Sequence, residues 1–292
     1  MHVATNQMRR DAAKRKLAGQ QARRVQQAAR RRRVAVISSA SVVALVLVGI
    51  VALSTLGGGD DPAAPADPAA SAAPSAPAPP TGATPEAIPT EVVALPTRPT
   101  ALPPTASCTY PAAGEAAKPV DPPSTADVSA RGTVAATLRT SAGTVPLTLD
   151  RALAPCTVNN FVSLARQGYF DATRCHRLTV GAGLQVLQCG DPTGTGSGSP
   201  GYTIPDEVFP ELTYGRGLLA MAKTQAPNSG GSQFFMVYGD AQLPPEYTVF
   251  GSIGPEGLTV VDGIARAGTD EANGPGDGAP VQPVTIESVT VA

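Results

Sequence analysis

The chain has 292 residues, 22 Lys and Arg against 23 Asp and Glu, and 30 prolines, a length that suits one or two domains. The near-neutral total hides a division. Residues 1–33 hold eleven basic residues and one acid, whereas residues 131–292 hold nine basic and fourteen acidic ones, a formal charge of −5. A uniformly basic chain that coats nucleic acid is therefore excluded.

The basic arm, 1–33, ends in Arg30-Arg31-Arg32-Arg33. Alone it reads as an anionic patch-binder or as a topology signal. The next run, Val34 to Leu56, carries no charged residue and is long enough to cross a bilayer core of about 30 Å. A basic cluster directly before such a run stays in the cytoplasm. The arm is thus expected to be cytoplasmic, 34–56 a single-pass membrane anchor, and everything beyond it extracytoplasmic. A cleaved signal peptide is the competing reading; the long apolar run and the poor small-residue site at Ser54-Thr55-Leu56-Gly57 argue against it. No nucleic-acid partner is expected.

Residues 57–130 contain 17 of the 30 prolines with much Ala, Ser and Thr. Such a composition buries too little apolar surface to fold, so a disordered, extended stalk is expected. Cys108 and Tyr110 suggest a tie to the domain that follows.

Eleven of the twelve Phe and Tyr lie in 131–292, which marks the folded domain. Val134–Arg139 and Val145–Leu149 read as strands joined by Thr140-Ser141-Ala142-Gly143, a hairpin signal. Ala154-Pro155-Cys156-Thr157 starts a helix with Thr157 as N-cap; Val158, Phe161, Val162, Leu164 and Ala165 give its apolar stripe, and Gly168 ends it. A second helix is signalled around Leu258 to Ile264. The rest reads as short strands broken by Gly and Pro, which points to a closed barrel with helices at its ends.

Chemistry-bearing motifs are few. Gly194–Gly201 is Gly-rich but lacks the Lys-Ser/Thr of a phosphate loop and reads as a flexible surface loop. His2 and His176 are the only histidines, and no Cys-x-x-Cys exists, so neither a zinc-type site nor any other metal or cofactor site is expected. A Ser or Cys triad would depend on His176 alone. Cys108, Cys156, Cys175 and Cys189 lie on the outer side and suggest disulfides, with three pairings open. In Gly231-Ser232-Gln233-Phe234-Phe235-Met236-Val237-Tyr238, a strand, the adjacent rings point to opposite faces. Arg177, in Cys175-His176-Arg177-Leu178, either faces solvent or lies on a barrel face beside Gln188 and Gln233 with donors free for a carbonyl.

The series HRL, LQCGD, MAK, NSGGSQFFMVY and YTVFG, in this order, resembles the cyclophilin-type peptidyl-prolyl cis-trans isomerases over about residues 131–292. The anchored arrangement resembles members from high-GC Gram-positive bacteria. The resemblance implies a mainly β domain: an eight-stranded antiparallel barrel capped by two α-helices. It implies an isomerase that helps exported proteins fold, with proline-containing polypeptides as clients. Arg177 matches the family's catalytic Arg, Gln188 the Gln that orients it, and Phe235 the floor of the proline pocket. Val186, Gln233, Leu243 and Tyr247 match substrate-binding positions, and Ala222-Lys223-Thr224 matches the segment that pairs with the substrate backbone. The second pocket Phe has no assigned counterpart; Leu184 stands nearest. Gln242 stands where many members carry Trp, which implies weak or no cyclosporin binding. These departures keep a second expectation alive: a proline-peptide binding module with little turnover.

Overall fold

The computed structural model describes residues 82–292. The anchor run 34–56 and the basic arm lie outside them. Among the described residues no helix is long and apolar enough to cross a membrane.

Among the described residues twelve strands form two sheets. A small one pairs β1 (Thr105–Ala106) with β2 (Val128–Ser129). The large one contains β3 (Thr133–Thr140), β4 (Gly143–Asp150), β5 (Thr173–Arg174), β6 (Arg177–Thr179), β7 (Leu184–Cys189), β8 (Leu218–Met221), β9 (Phe234–Ala241), β10 (Val249–Ile253), β11 (Asp277–Gly278) and β12 (Thr285–Val291). Its order is β11-β6-β7-β9-β8-β10-β4-β3-β12-β5. The expected count was eight strands and the hydrogen-bonded count is ten. The reason is local. Residues 173–179 run continuously through β5, at one end of the sheet order, and β6, one strand in from the other end. The sheet therefore curls until its ends meet in that run. Counted as one bent strand, with the two-residue β11 set aside, eight main strands remain.

The β3–β4 hairpin forms where the turn residues place it, with Thr140 opposite Gly143. Both strands alternate buried and exposed residues, as strands with one face on a core must. Inside the curl lie Leu138, Leu149, Leu178, Leu187, Phe234 and Phe250, all essentially without solvent exposure.

Helix α1 (Pro155–Arg166) closes one side of this core. Phe161 projects from it to within 5.4 Å of the Phe234 ring and 5.6 Å of the Phe250 ring. Its N-terminus corrects the expected cap. Ala154 occupies the cap position and Thr157 is inside the helix. The orphan amides are satisfied from a distance instead: the Glu207 carboxylate accepts from the Cys156 N–H (3.0 Å), the Thr157 N–H (2.8 Å) and the Thr157 hydroxyl (2.8 Å). Gly168, at φ +65°, turns the chain out of the helix in a conformation a Cβ would strain. Helix α2 (Pro255–Ala267) packs Leu258, Val261, Ile264 and Ala265 inward. Its Asp262 binds Arg216 through two bonds of 2.6 and 2.9 Å, and Arg216 also donates to the Tyr238 carbonyl at 2.6 Å. This buried pair ties α2 to β9.

The expected stalk is corrected over its described part. Residues 82–130 lie against the curled sheet. Arg98 donates to the carbonyls of Leu153 (2.7 Å) and Glu207 (2.9 Å) and stands over the Phe209 ring. Ile88, Leu95, Tyr110 and Val120 are half-buried against the core. Cys108 is bonded to Cys156, and Cys175 to Cys189. Composition argued against a core built from this segment alone; it adheres to a core that already exists.

Candidate active site

Four strands set the site. Arg177 on β6 lies directly opposite Gln188 on β7, Gln188 opposite Phe235 on β9, and Phe235 opposite Ala220 on β8. Residues directly opposed across adjacent strands share a face. Arg177, Gln188 and Phe235 therefore form one row on the outside of the curl. The next row, Leu178, Leu187, Met236 and Leu219, faces the core, as does Phe234. The two adjacent Phe rings separate in this way.

A pocket of about 280 Å³ opens over this row. Phe235, Val186, Leu184 and Leu243 supply its apolar wall, and Arg177, Gln188, Lys223, Tyr247 and Ala222 complete it. The Tyr247 ring meets Phe235 edge-on, centroids 5.7 Å apart. Tyr247 is held by Tyr214, whose hydroxyl donates to its carbonyl (2.8 Å) and accepts from its N–H (2.9 Å). The Lys223 ammonium stands 3.8 Å from the Glu246 carboxylate and 5.7 Å from the Tyr247 ring centre.

The guanidinium of Arg177 is gripped on one edge. Asp277 accepts from Nε at 2.8 Å and from Nη2 at 2.6 Å. Gln188 accepts from Nη1 at a long 3.4 Å. These bonds leave one N–H on each terminal nitrogen uncommitted. Hydrogen bonding to Asp277 raises the Arg177 pKa further, so its charge is permanent. The same bonds hold the Asp277 carboxyl below the ordinary range.

An amide relay continues from Arg177. Gln188 Nε2 donates to Gln233 Oε1 at 2.9 Å, and Gln233 Nε2 donates to the carbonyls of Gly196 and Gly198 at 3.0 Å each. The Gly-rich stretch is thus not a free loop, which corrects the expectation. It wraps around the buried Asp191 carboxylate, which accepts from the amides of Thr193 (2.7 Å) and Gly196 (2.7 Å) and from the Thr193 hydroxyl (2.8 Å). Burial works to raise the Asp191 pKa, and these donors outweigh it and bring it below the usual value. A Cβ at Gly198 would collide with the Asp191 carboxylate, so the wrap requires glycine there.

Of the ten candidate residues, Arg177, Gln188, Phe235, Val186, Ala222, Lys223, Leu243 and Tyr247 meet in the small pocket. Thr224 and Gln233 do not. They line a neighbouring cavity of about 570 Å³, which Gln188, Ala222 and Lys223 also border. Gln242 lines neither pocket; its backbone N–H donates to the Gly183 carbonyl. Leu184 joins the wall. Asp277 and Tyr214 are additions. Asp277 lies 100 residues from Arg177, and no local pattern pairs them.

Residues 135–291, more than half of the chain, match the family model described as "Cyclophilin type peptidyl-prolyl cis-trans isomerase/CLD". The chain belongs to the cyclophilin family. Within that family it is 49% identical over 197 residues to a Mycobacterium leprae protein named "Probable peptidyl-prolyl cis-trans isomerase B", covering 63% of this chain and 66% of that one. A Mycobacterium tuberculosis protein named "Peptidyl-prolyl cis-trans isomerase A" is 37% identical, with 55% of this chain covering 93% of it. The match to the first relative thus spans slightly under two thirds of that protein. A solved cyclophilin type peptidyl-prolyl cis-trans isomerase of Cryptosporidium parvum is 30% identical, with a TM-score of 0.49, over 55% of this chain and 98% of that one. The cyclophilin match begins after Val134, so residues 82–134 of the described structure stand outside it.

Proposed function

We propose that this cyclophilin domain catalyses cis-trans rotation about X–Pro peptide bonds, with Arg177 as the stabilising donor and Phe235 as the seat of the proline ring. The observation that carries this reading is the fixed guanidinium edge beside an apolar pocket of about 280 Å³.

Rotation must break amide resonance, a barrier of ~18–20 kcal/mol. As the bond twists, the prolyl nitrogen becomes pyramidal and its lone pair localises. A donor that meets this lone pair, or the prolyl carbonyl, binds the twisted state better than the planar one, which is the condition for acceleration. The uncommitted N–H groups of Arg177 supply such a donor. Asp277 and Gln188 keep them aimed, so little reorganisation accompanies the twist. The Phe235, Val186, Leu184 and Leu243 wall holds the ring while the chain on its other side turns. No bond is formed or broken.

The clients in this reading are exported, folding polypeptides, reached from the outer face of the membrane by a domain anchored through Val34–Leu56. Two disulfides among the described residues support an oxidising compartment. The uncharged run behind a basic cluster supports the anchor.

The test is a cis-to-trans exchange assay on a proline peptide with the full chain and with Arg177→Ala. Clear catalysis in the parent and a large loss in the variant are expected. Equal rates would remove Arg177 from its role. Peptide binding without catalysis in either would leave a binding module. Protease added to intact cells should cleave the domain; protection until lysis would overturn the placement.

A further inference from the structure

We infer that residues 111–117, which lie outside the family-matched segment, form a working wall of the substrate site and select the residues that flank the proline. This inference rests on the reading of the small pocket as the proline seat.

The segment adds itself to the Gly-rich loop as an irregular strand. The Ala113 N–H donates to the Gly201 carbonyl (2.8 Å), the Ala117 N–H to the Ser199 carbonyl (2.8 Å), and the Thr203 N–H to the Pro111 carbonyl (3.0 Å). A Cβ built on Gly201 would meet Ala116 at 3.1–3.3 Å, so the two backbones lie close. The approach is fixed from behind. Tyr110 packs edge-on against Tyr202, and its hydroxyl donates to the Cys156 carbonyl (3.1 Å) and accepts from Asn159 (2.9 Å). Two residues earlier, Cys108 is covalently bound to Cys156 on α1.

This makes Ala113 a lining residue of the 570 Å³ cavity, together with Thr224 and Gln233. A volume of this size lies within the range of ~300–1,000 Å³ seen for ligand sites. The cavity shares Gln188, Ala222 and Lys223 with the proline pocket, so one extended peptide fills both. Apart from Lys223, whose ammonium faces Glu246, and the Tyr202 ring, its lining is mainly hydroxyl, amide and glycine backbone, among them Ser197, Ser199, Thr224 and Gln233. Such a surface suits small or uncharged polar side chains beside the proline. A larger residue at 113 would close the rim.

The segment also braces the relay to Arg177. The loop whose outer edge it holds offers the Gly196 and Gly198 carbonyls to Gln233, which in turn orients Gln188. One strap thus shapes the cavity and supports the donors beside it.

The experiment compares affinities of two labelled, end-blocked peptides for the full chain. One is Ala-Pro-Ala, which occupies the proline seat. The other is an eight-residue peptide with the same centre and Ser and Ala flanks, which also enters the larger cavity. Fluorescence anisotropy gives both dissociation constants. In Ala113→Trp the preference for the long peptide over the short one is expected to fall about tenfold, and in Ala113→Leu to fall by less. Ala112→Trp, at an exposed neighbouring position that does not line the cavity, keeps the parental preference. A parental preference in both Ala113 variants overturns the inference, as does an equal fall in Ala112→Trp. Ala113 is half-exposed, so both variants are expected to fold, which circular dichroism checks. Turnover is not the readout: a parent that binds these peptides without isomerising them refutes the catalytic reading alone.

Discussion

Asp277 grips Arg177 along its Nε–Nη2 edge, although 100 residues separate them in the chain. The contact exists because β11 pairs with β6, which puts Asp277 diagonal to Arg177 on the same face of the sheet. The carboxylate consumes one edge of the guanidinium and so dictates which edge meets substrate.

Asp277 is therefore expected to act through Arg177. A hydrogen bond to a charged group is worth about 1.5–3 kcal/mol, and each ~1.4 kcal/mol is a tenfold change in rate. Asp277→Ala should lower kcat by roughly tenfold or more, with a much smaller effect on KM, because it disorders the donor without altering the Phe235 pocket. Asp277→Asn keeps one acceptor oxygen and should recover part of the loss. An Asp277→Ala protein with parental kcat would show that Gln188 alone positions the guanidinium.

The paired rings should respond differently to truncation. Phe234 is fully buried against Phe161 and Phe170. Phe234→Ala should cost on the order of 3–5 kcal/mol of stability. Phe235→Ala opens onto the pocket, so it should cost less stability and reduce kcat/KM by roughly tenfold. Urea unfolding and exchange kinetics on both variants separate the two jobs. Equal destabilisation with equal activity loss would contradict the division.

Acid should act through His176 before it reaches the Arg177–Asp277 pair. Burial lowers the His176 pKa in the folded state below the ordinary value of about 6.5. On acidification the unfolded chain takes up that proton first, so stability is full above about pH 6.5 and declines as pH falls toward the folded value. Asp277 has the opposite sign of charge and a depressed pKa. Its contribution is present above the ordinary carboxyl value of about 3.9 and is lost only as pH falls through its lower folded value. Between pH 7.5 and 5.5 the melting temperature should drop in the parent and drop less in His176→Gln. An identical drop in both would assign the sensitivity elsewhere.

Several elements were legible because their signals are local. The β3–β4 hairpin follows from turn residues between alternating strands, α1 from apolar spacing behind a proline start, and α2 in outline from the signal around Leu258 to Ile264. The row of Arg177, Gln188 and Phe235 could be anticipated only by resemblance, since spacing alone left Arg177 between solvent and barrel face. Thr157 was misread as a cap because the true capping group, Glu207, arrives from 50 residues away. The Gly-rich loop was misread as free because Asp191, the anion it wraps, is silent in a composition count.

By itself, then, the amino-acid order determined where the chain changes character, which stretches are strands and helices, and that Phe234 and Phe235 must part company across a sheet. Periodicity and backbone sterics act between near neighbours, so they are written in short words of sequence. Only the tertiary structure decided that Cys108 bonds Cys156, that Asp277 takes one edge of Arg177, and that residues 82–130, the described part of the proline-rich segment, lie on the curled sheet and reach the larger cavity. Those contacts join residues dozens of positions apart, beyond the reach of any local pattern, and each exists because elements distant in the chain pack side by side.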